Sequence, residues 1–238
     1  MADQDVFRET AFPDMEERFF TICSLIGIFA SFLAAGLLRS FFPAEGIFFI
    51  FVLPQIMTAG FVLVTAYFFR KEGEWIFSFP LLIAKPRSFN FKDAICAEMI
   101  IFPLVTLTTL FTVFCAEKIG VELKDPYILT VLKSSDLRGK IIIFISVAML
   151  APLIEEVMFR NILFHFFNKV MSRGVFLSAV LTSLIFALMH GEWYFIPGLF
   201  ILGMSFQLLM IRRKSLTSSI LMHSMHNTIS VGLMILFN

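Results

Sequence analysis

The segment 151–160, APLIEEVMFR, sets two carboxylates and a guanidinium inside an apolar run. Glu156 and Arg160 are four residues apart, so on a helix they share one face and form an internal ion pair in which Arg160 neutralises Glu156. Glu155 is rotated by about 100° from that pair, which lets its carboxylate point into a cavity and serve as a general base. Two further motifs carry imidazoles. Phe186 and His190 lie one turn apart near the end of an apolar stretch, where His190 could hold the same water as Glu155. In HSMHN, His223 and Asn227 are again four apart, and both can donate hydrogen bonds to an oxyanion developing on a scissile carbonyl. The chemistry these residues suit is hydrolysis.

Each motif alone has a plain structural reading. An i,i+4 ion pair knits a helix, and a single histidine in an apolar helix is commonly a satisfied packing residue. Their coincidence argues otherwise, because ionisable groups are costly in hydrocarbon and need a partner, a cavity or a function. The remaining polar residues are weaker candidates. His165 points away from the Glu156 face, and His226, beside Asn227, could stand in for His223. Glu98 sits in the first turns of its helix, where the dipole favours a carboxylate; Gln55 and Gln207 can simply bond between helices. Zinc-helix HExxH, the GxSxG elbow and a GxGD pair are all missing from the sequence, which argues against the serine and aspartyl routes.

The elements that carry these residues read as membrane helices. The chain has 238 residues, 58% of them hydrophobic and 32 of them phenylalanine, and a mean hydropathy of +0.88, too apolar for a soluble domain of this length. Apolar windows run over Phe19–Leu38, Ile47–Phe69, Ala94–Ala116, Ile141–Phe167, Val175–His190, Phe195–Ile211 and Leu216–Phe237. Most reach the ~20 residues a spanning helix needs. The expectation is an all-α, polytopic transmembrane helical bundle of seven to eight spans: a single membrane domain over 1–238, with the core that carries the polar residues named above at about 140–238. Pro152 breaks the regularity of the fourth window, so that span is expected to be kinked or built from two pieces.

Basic clusters after the second, fourth and sixth windows place those loops in the cytoplasm by the positive-inside rule, although the connector from Lys118 to Arg138 mixes both signs. The first 18 residues are polar and acidic, unlike a cleaved secretory leader. Gly73 to Asn90, with Pro80 and Pro86, reads as an interfacial loop. A net charge of +1 supplies no basic field for nucleic acid. The three cysteines, Cys23, Cys96 and Cys115, form neither a disulfide framework nor a CxxC pair and read as packing residues. The setting implied is the cell (inner) membrane of a prokaryote, with the lipid bilayer as solvent. Straight helices at these boundaries put His190 and His223 toward opposite membrane faces, so the site requires a bend or a different fifth helix.

The three motifs EExxxR at 155–160, FxxxH at 186–190 and HxxxN at 223–227 together resemble the CAAX prenyl endopeptidase and bacteriocin-processing family of intramembrane proteases, over roughly residues 140–238. The resemblance implies that Glu155 and His190 activate the attacking water, that His223 and Asn227 stabilise the oxyanion, and that Glu156 and Arg160 support the site. It also implies a peptide or protein substrate, in some members prenylated at a C-terminal cysteine. Metal use stays open: Glu155, His190 and His223 would be the ligands of a divalent ion such as zinc. Two other classes compete with the peptidase. One is a non-catalytic membrane scaffold or bacteriocin-immunity-type protein using the same cavity. The other is an ion-coupled carrier, disfavoured by the lack of paired broken helices.

Overall fold

The computed structural model describes residues 46–68, 91–170 and 174–237, with scattered helical positions between 19 and 37. The acidic N-terminus, much of the Phe19–Leu38 window and the Gly73–Asn90 stretch lie outside the described residues. All regular structure among the described residues is helical, in seven helices. They are α1 (Leu53–Phe68), α2 (Phe91–Lys118), α3 (Tyr127–Ser134), α4 (Leu137–Asn168), α5 (Val175–Leu188), α6 (Ile196–Arg213) and α7 (Leu216–Leu236).

Three of the described helices are long and apolar enough to cross a bilayer: α2, α4 and the run Trp193–Arg213 that contains α6. On α2 only 11% of the most apolar window is buried, and Met99, Ile100, Leu107 and Phe111 face outward. Such a surface is stable against lipid and not against water. α7 is 21 residues long, but its serines, histidines and asparagine dilute its hydropathy and keep it out of that group.

The expected fifth span needs correcting. Of the window Val175–His190, α5 takes the first 14 residues and stops at Leu188, and Gly191, at φ +78°, turns the chain into the short Trp193–Phe195 helical turn that leads into α6. A positive φ is strained for any residue with a Cβ, so glycine ends the element there. The Lys118 to Arg138 connector is likewise more than a loop. It contains α3, and its chain is tied down by Tyr194 Oη donating to the Lys124 carbonyl at 3.0 Å and by the Tyr127 amide donating to Glu192 Oε1 at 3.1 Å.

α4 begins at Asp136, whose carboxylate accepts from the Gly139 amide at 2.8 Å as an N-cap. It is one run of 32 residues, interrupted by wide, π-type turns at Ser146–Leu150 and Val157–Leu163. Pro152 therefore does not split the span; it sits just after the first wide turn. α6 occupies the middle of the bundle and packs against α2, α5 and α7. Close approach to α5 is possible because Gly203 has no side chain: a Cβ there would come within 3.0 Å of the Phe186 ring and 3.3 Å of Ser183 Cβ. Phe159, Phe186, Phe206 and Met222 fill the core between these helices.

Candidate active site

The first wide turn of α4 shapes the site. Within it the Ala151 amide donates to the carbonyl of Ser146, five residues back. The next donor in that register would be residue 152, and proline has no N–H. The Val147 carbonyl is thereby left to the side chain of Asn227 on α7, whose Nδ2 donates to it at 2.8 Å. Gln55 Nε2 donates to the Ser146 carbonyl at 3.3 Å, bringing α1 against the same turn. Exposed backbone carbonyls of this kind are the points at which neighbouring helices attach.

One turn further on, Glu156 is fully buried and its two oxygens are shared among three partners. Arg160 Nη1 lies 3.2 Å from Oε1, His223 Nδ1 donates to Oε1 at 2.9 Å, and Ser219 donates to Oε2. Arg160, also fully buried, donates from Nη2 to the Gly203 carbonyl at 3.0 Å. Its guanidinium lies among three rings, 4.7 Å from Phe186, 5.3 Å from Phe206 and 5.7 Å from Phe159. These cation–π contacts and the carboxylate together make burial of the charge tolerable.

Because a carboxylate can only accept, the bond to Glu156 fixes the proton of His223 on Nδ1 and leaves Nε2 on the other side of the ring. That nitrogen is 3.8 Å from Glu155 Oε2, a buried oxygen with no hydrogen-bond partner among the described residues. A water placed against both atoms would be within hydrogen-bond distance of each. The imidazole is stacked on Phe206, with ring centres 4.5 Å apart and planes 24° apart, so its orientation is held by packing as well as by Glu156.

His190 lies beyond the end of α5 and folds back on it, Nδ1 donating to the Phe186 carbonyl at 2.8 Å. Phe186 stands between the two histidines, its ring centre 4.7 Å from that of His190 and 5.8 Å from that of His223. Glu155, His190, His223 and Asn227 all line one cavity of about 670 Å³, within the size range of sites that enclose an organic ligand or a peptide segment. Two residues past the end of α5, His190 lines the same cavity as His223.

Several features were not anticipated. Ser219 stands four residues before His223 on α7, a spacing that could have flagged it. The Gly203 carbonyl and the Phe206 ring left no signal in the sequence. Glu98, read above only as a dipole partner, is 2% exposed and accepts from His226 Nδ1 at 2.9 Å. His226 consequently does not replace His223 on Glu156. Gln207, read as an interhelical donor, is fully buried with no partner for its amide among the described residues. His165 keeps its Nδ1 3.3 Å from the Arg160 carbonyl, outside the cavity lining.

Glu155, His190 and His223, considered above as ligands of a divalent ion, do not form a ready three-ligand cluster. Among the described residues no three His, Cys, Asp or Glu side chains converge as ligands of one ion; the Nδ1 atoms of both histidines are engaged, which leaves Nε2 as the free nitrogen of each ring.

A helical, membrane-embedded protein with buried glutamate–histidine pairs around a cavity is thus the class defined by fold and site. Residues 137–229 match the sequence profile of the Rce1-like type II CAAX prenyl endopeptidases. The chain is also similar to the membrane-embedded CAAX protease MroQ of Staphylococcus aureus (strain USA300), 37% identical over 93 residues, which cover 37% of this chain and 38% of the relative. The chain thus spans well under half the length of that curated relative. No solved structure matches the chain.

Proposed function

We propose that the protein is an intramembrane endopeptidase of the CAAX protease type, in which Glu155 and His190 activate a water for attack on a peptide bond. The observation that carries this reading is the unpartnered Glu155 Oε2 lying 3.8 Å from His223 Nε2 on a cavity wall shared with His190 and Asn227. In the reaction Glu155 takes a proton from water as the hydroxyl oxygen bonds to the scissile carbonyl carbon. The oxyanion formed is met by the second N–H of Asn227 Nδ2, beside the His223 ring. The C–N bond then breaks, and the leaving amine takes its proton from Glu155. Glu156 and Arg160 hold His223 and the helix in place without touching substrate.

The substrate in this reading is a peptide or protein segment reaching the bilayer, a prenylated C-terminal cysteine sequence being the first type to test. The remaining apolar helices complete a bundle of seven to eight spans in a prokaryotic cell membrane. Similarity to a protein named as a membrane-embedded CAAX protease supports the reaction class. The test is to reconstitute the purified protein in liposomes with a panel of peptides, some prenylated at a CAAX cysteine, and follow the products by mass spectrometry. Cleavage by wild type and not by Glu155→Gln is expected; cleavage that persists in Glu155→Gln or His190→Ala overturns the assignment. A function that survives Glu155→Gln would point to the scaffold alternative.

A further inference from the structure

The site contains a second carboxylate–histidine pair built like the first and unused by the reaction as written. On α7, His223 and His226 are three residues apart, and each has its Nδ1 2.9 Å from a buried glutamate oxygen, Glu156 of α4 for the one and Glu98 of α2 for the other. Glu98 and Phe102, one turn apart on α2, grip the His226 ring from two sides, with the Phe102 and His226 ring centres 5.4 Å apart. Phe102 and His226 line the cavity, and Glu98 stands behind them, outside the lining.

Holding a carboxylate 128 residues away in sequence against this imidazole has a chemical consequence. The proton is fixed on Nδ1, so Nε2 carries the lone pair. Burial makes this arrangement costly unless the acceptor is used, since Glu98 and His226 are 2% and 8% exposed. An extended peptide offers a row of N–H donors that have lost their water on entering such a cavity.

We propose that His226 is a substrate-anchoring residue, whose Nε2 accepts a hydrogen bond from a backbone amide of the bound peptide, and that Glu98 is the positioning residue that sets its ring. Three residues of helix advance about 4.5 Å, and an extended peptide advances about 3.3 Å per residue. The amide contacted therefore belongs to the residue adjoining the scissile bond, one to two positions from the carbonyl that faces His223. This assignment rests on the peptidase reading for its substrate class, while its readout is binding and does not need turnover.

The probe is a fluorescent synthetic peptide ending in a farnesylated CAAX sequence, titrated against purified protein carrying Glu155→Gln. On that background His226→Ala and Glu98→Ala are expected to raise Kd about tenfold, as for loss of one buried hydrogen bond. Glu98→Gln retains an acceptor for Nδ1 and restores most of the affinity. N-methylation of the amide adjoining the scissile bond weakens binding to the His226-containing protein and adds no penalty to His226→Ala. Thermal unfolding is followed for every variant. Equal Kd values with a lowered Tm would make the pair purely structural and overturn the proposal, as would an N-methyl penalty unchanged by His226→Ala or no binding of the peptide at all. Binding that depends on His226 in a wild-type protein that cleaves nothing would instead remove the peptidase reading and leave the anchor standing.

Discussion

Asn227 Nδ2 donates to the Val147 carbonyl at 2.8 Å, across two helices and 80 residues, because Pro152 has removed the backbone donor that would otherwise have closed the wide turn of α4. Asn227, the proposed oxyanion donor, is thereby held by one of its two N–H groups while the residue lines the cavity. Proline here aims a side chain on a different helix.

Restoring that donor should disturb the site without unfolding it. Pro152→Ala supplies an N–H that competes for the Val147 carbonyl and releases the Asn227 amide. Cleavage of a peptide substrate is expected to fall by about tenfold, equivalent to about 1.4 kcal/mol of lost orientation, with Tm little changed. Unaltered kcat in Pro152→Ala would show that the anchor does not matter.

Glu156→Leu should be far more damaging to the fold than Glu155→Gln. It strands the Arg160 guanidinium, which is fully buried, and removes the acceptor of His223 and Ser219, a loss of about 3–5 kcal/mol for a broken buried pair. The double variant Glu156→Leu with Arg160→Met should regain much of the Tm yet remain inactive, because His223 no longer has its Nδ1 acceptor. Recovery of activity together with stability would mean that Glu156 only balances charge.

Glu155 presents the opposite profile. Its side chain is 28% exposed and Oε2 has no partner among the described residues, so Glu155→Gln sacrifices no native hydrogen bond there. Unfolding should be unchanged while kcat drops by about 10²- to 10⁴-fold, the range for a general base. A large loss of stability in this variant would place Glu155 among the structural residues.

Gly203 is the point where α6 meets α5. Gly203→Val forces at least one carbon toward Phe186 and Ser183 and shifts the carbonyl that accepts from Arg160. Overpacking of this kind costs about 1–3 kcal/mol. Tm in detergent is expected to fall accordingly, and since Phe186 also touches both histidines, kcat should fall with it; an unshifted Tm would contradict the close packing of these helices.

Much of this was legible along the chain. The helical character follows from apolar windows, and the Glu156–Arg160 pair follows from an i,i+4 spacing, because one turn of helix brings such residues together wherever the helix lies. Glu155, His190, His223 and Asn227, four of the residues that line the cavity, were named from their types and from the cost of placing them in hydrocarbon. What could not be read concerns relations between helices. Glu98 and His226 are 128 residues apart, and no periodicity tells which imidazole meets which carboxylate. The Val147 carbonyl is invisible in a side-chain pattern, although Pro152 hinted at it. The cage of Phe159, Phe186 and Phe206 around Arg160 depends on how α4, α5 and α6 cross, and 32 phenylalanines offered no means of choosing three. The end of α5 at Leu188 falls two residues short of the apolar window. Local spacing is written in the covalent chain and survives any packing. The partners that helices select depend on crossing, on close approach at residues such as Gly203 and on broken turns, and these arise when the whole bundle packs at once.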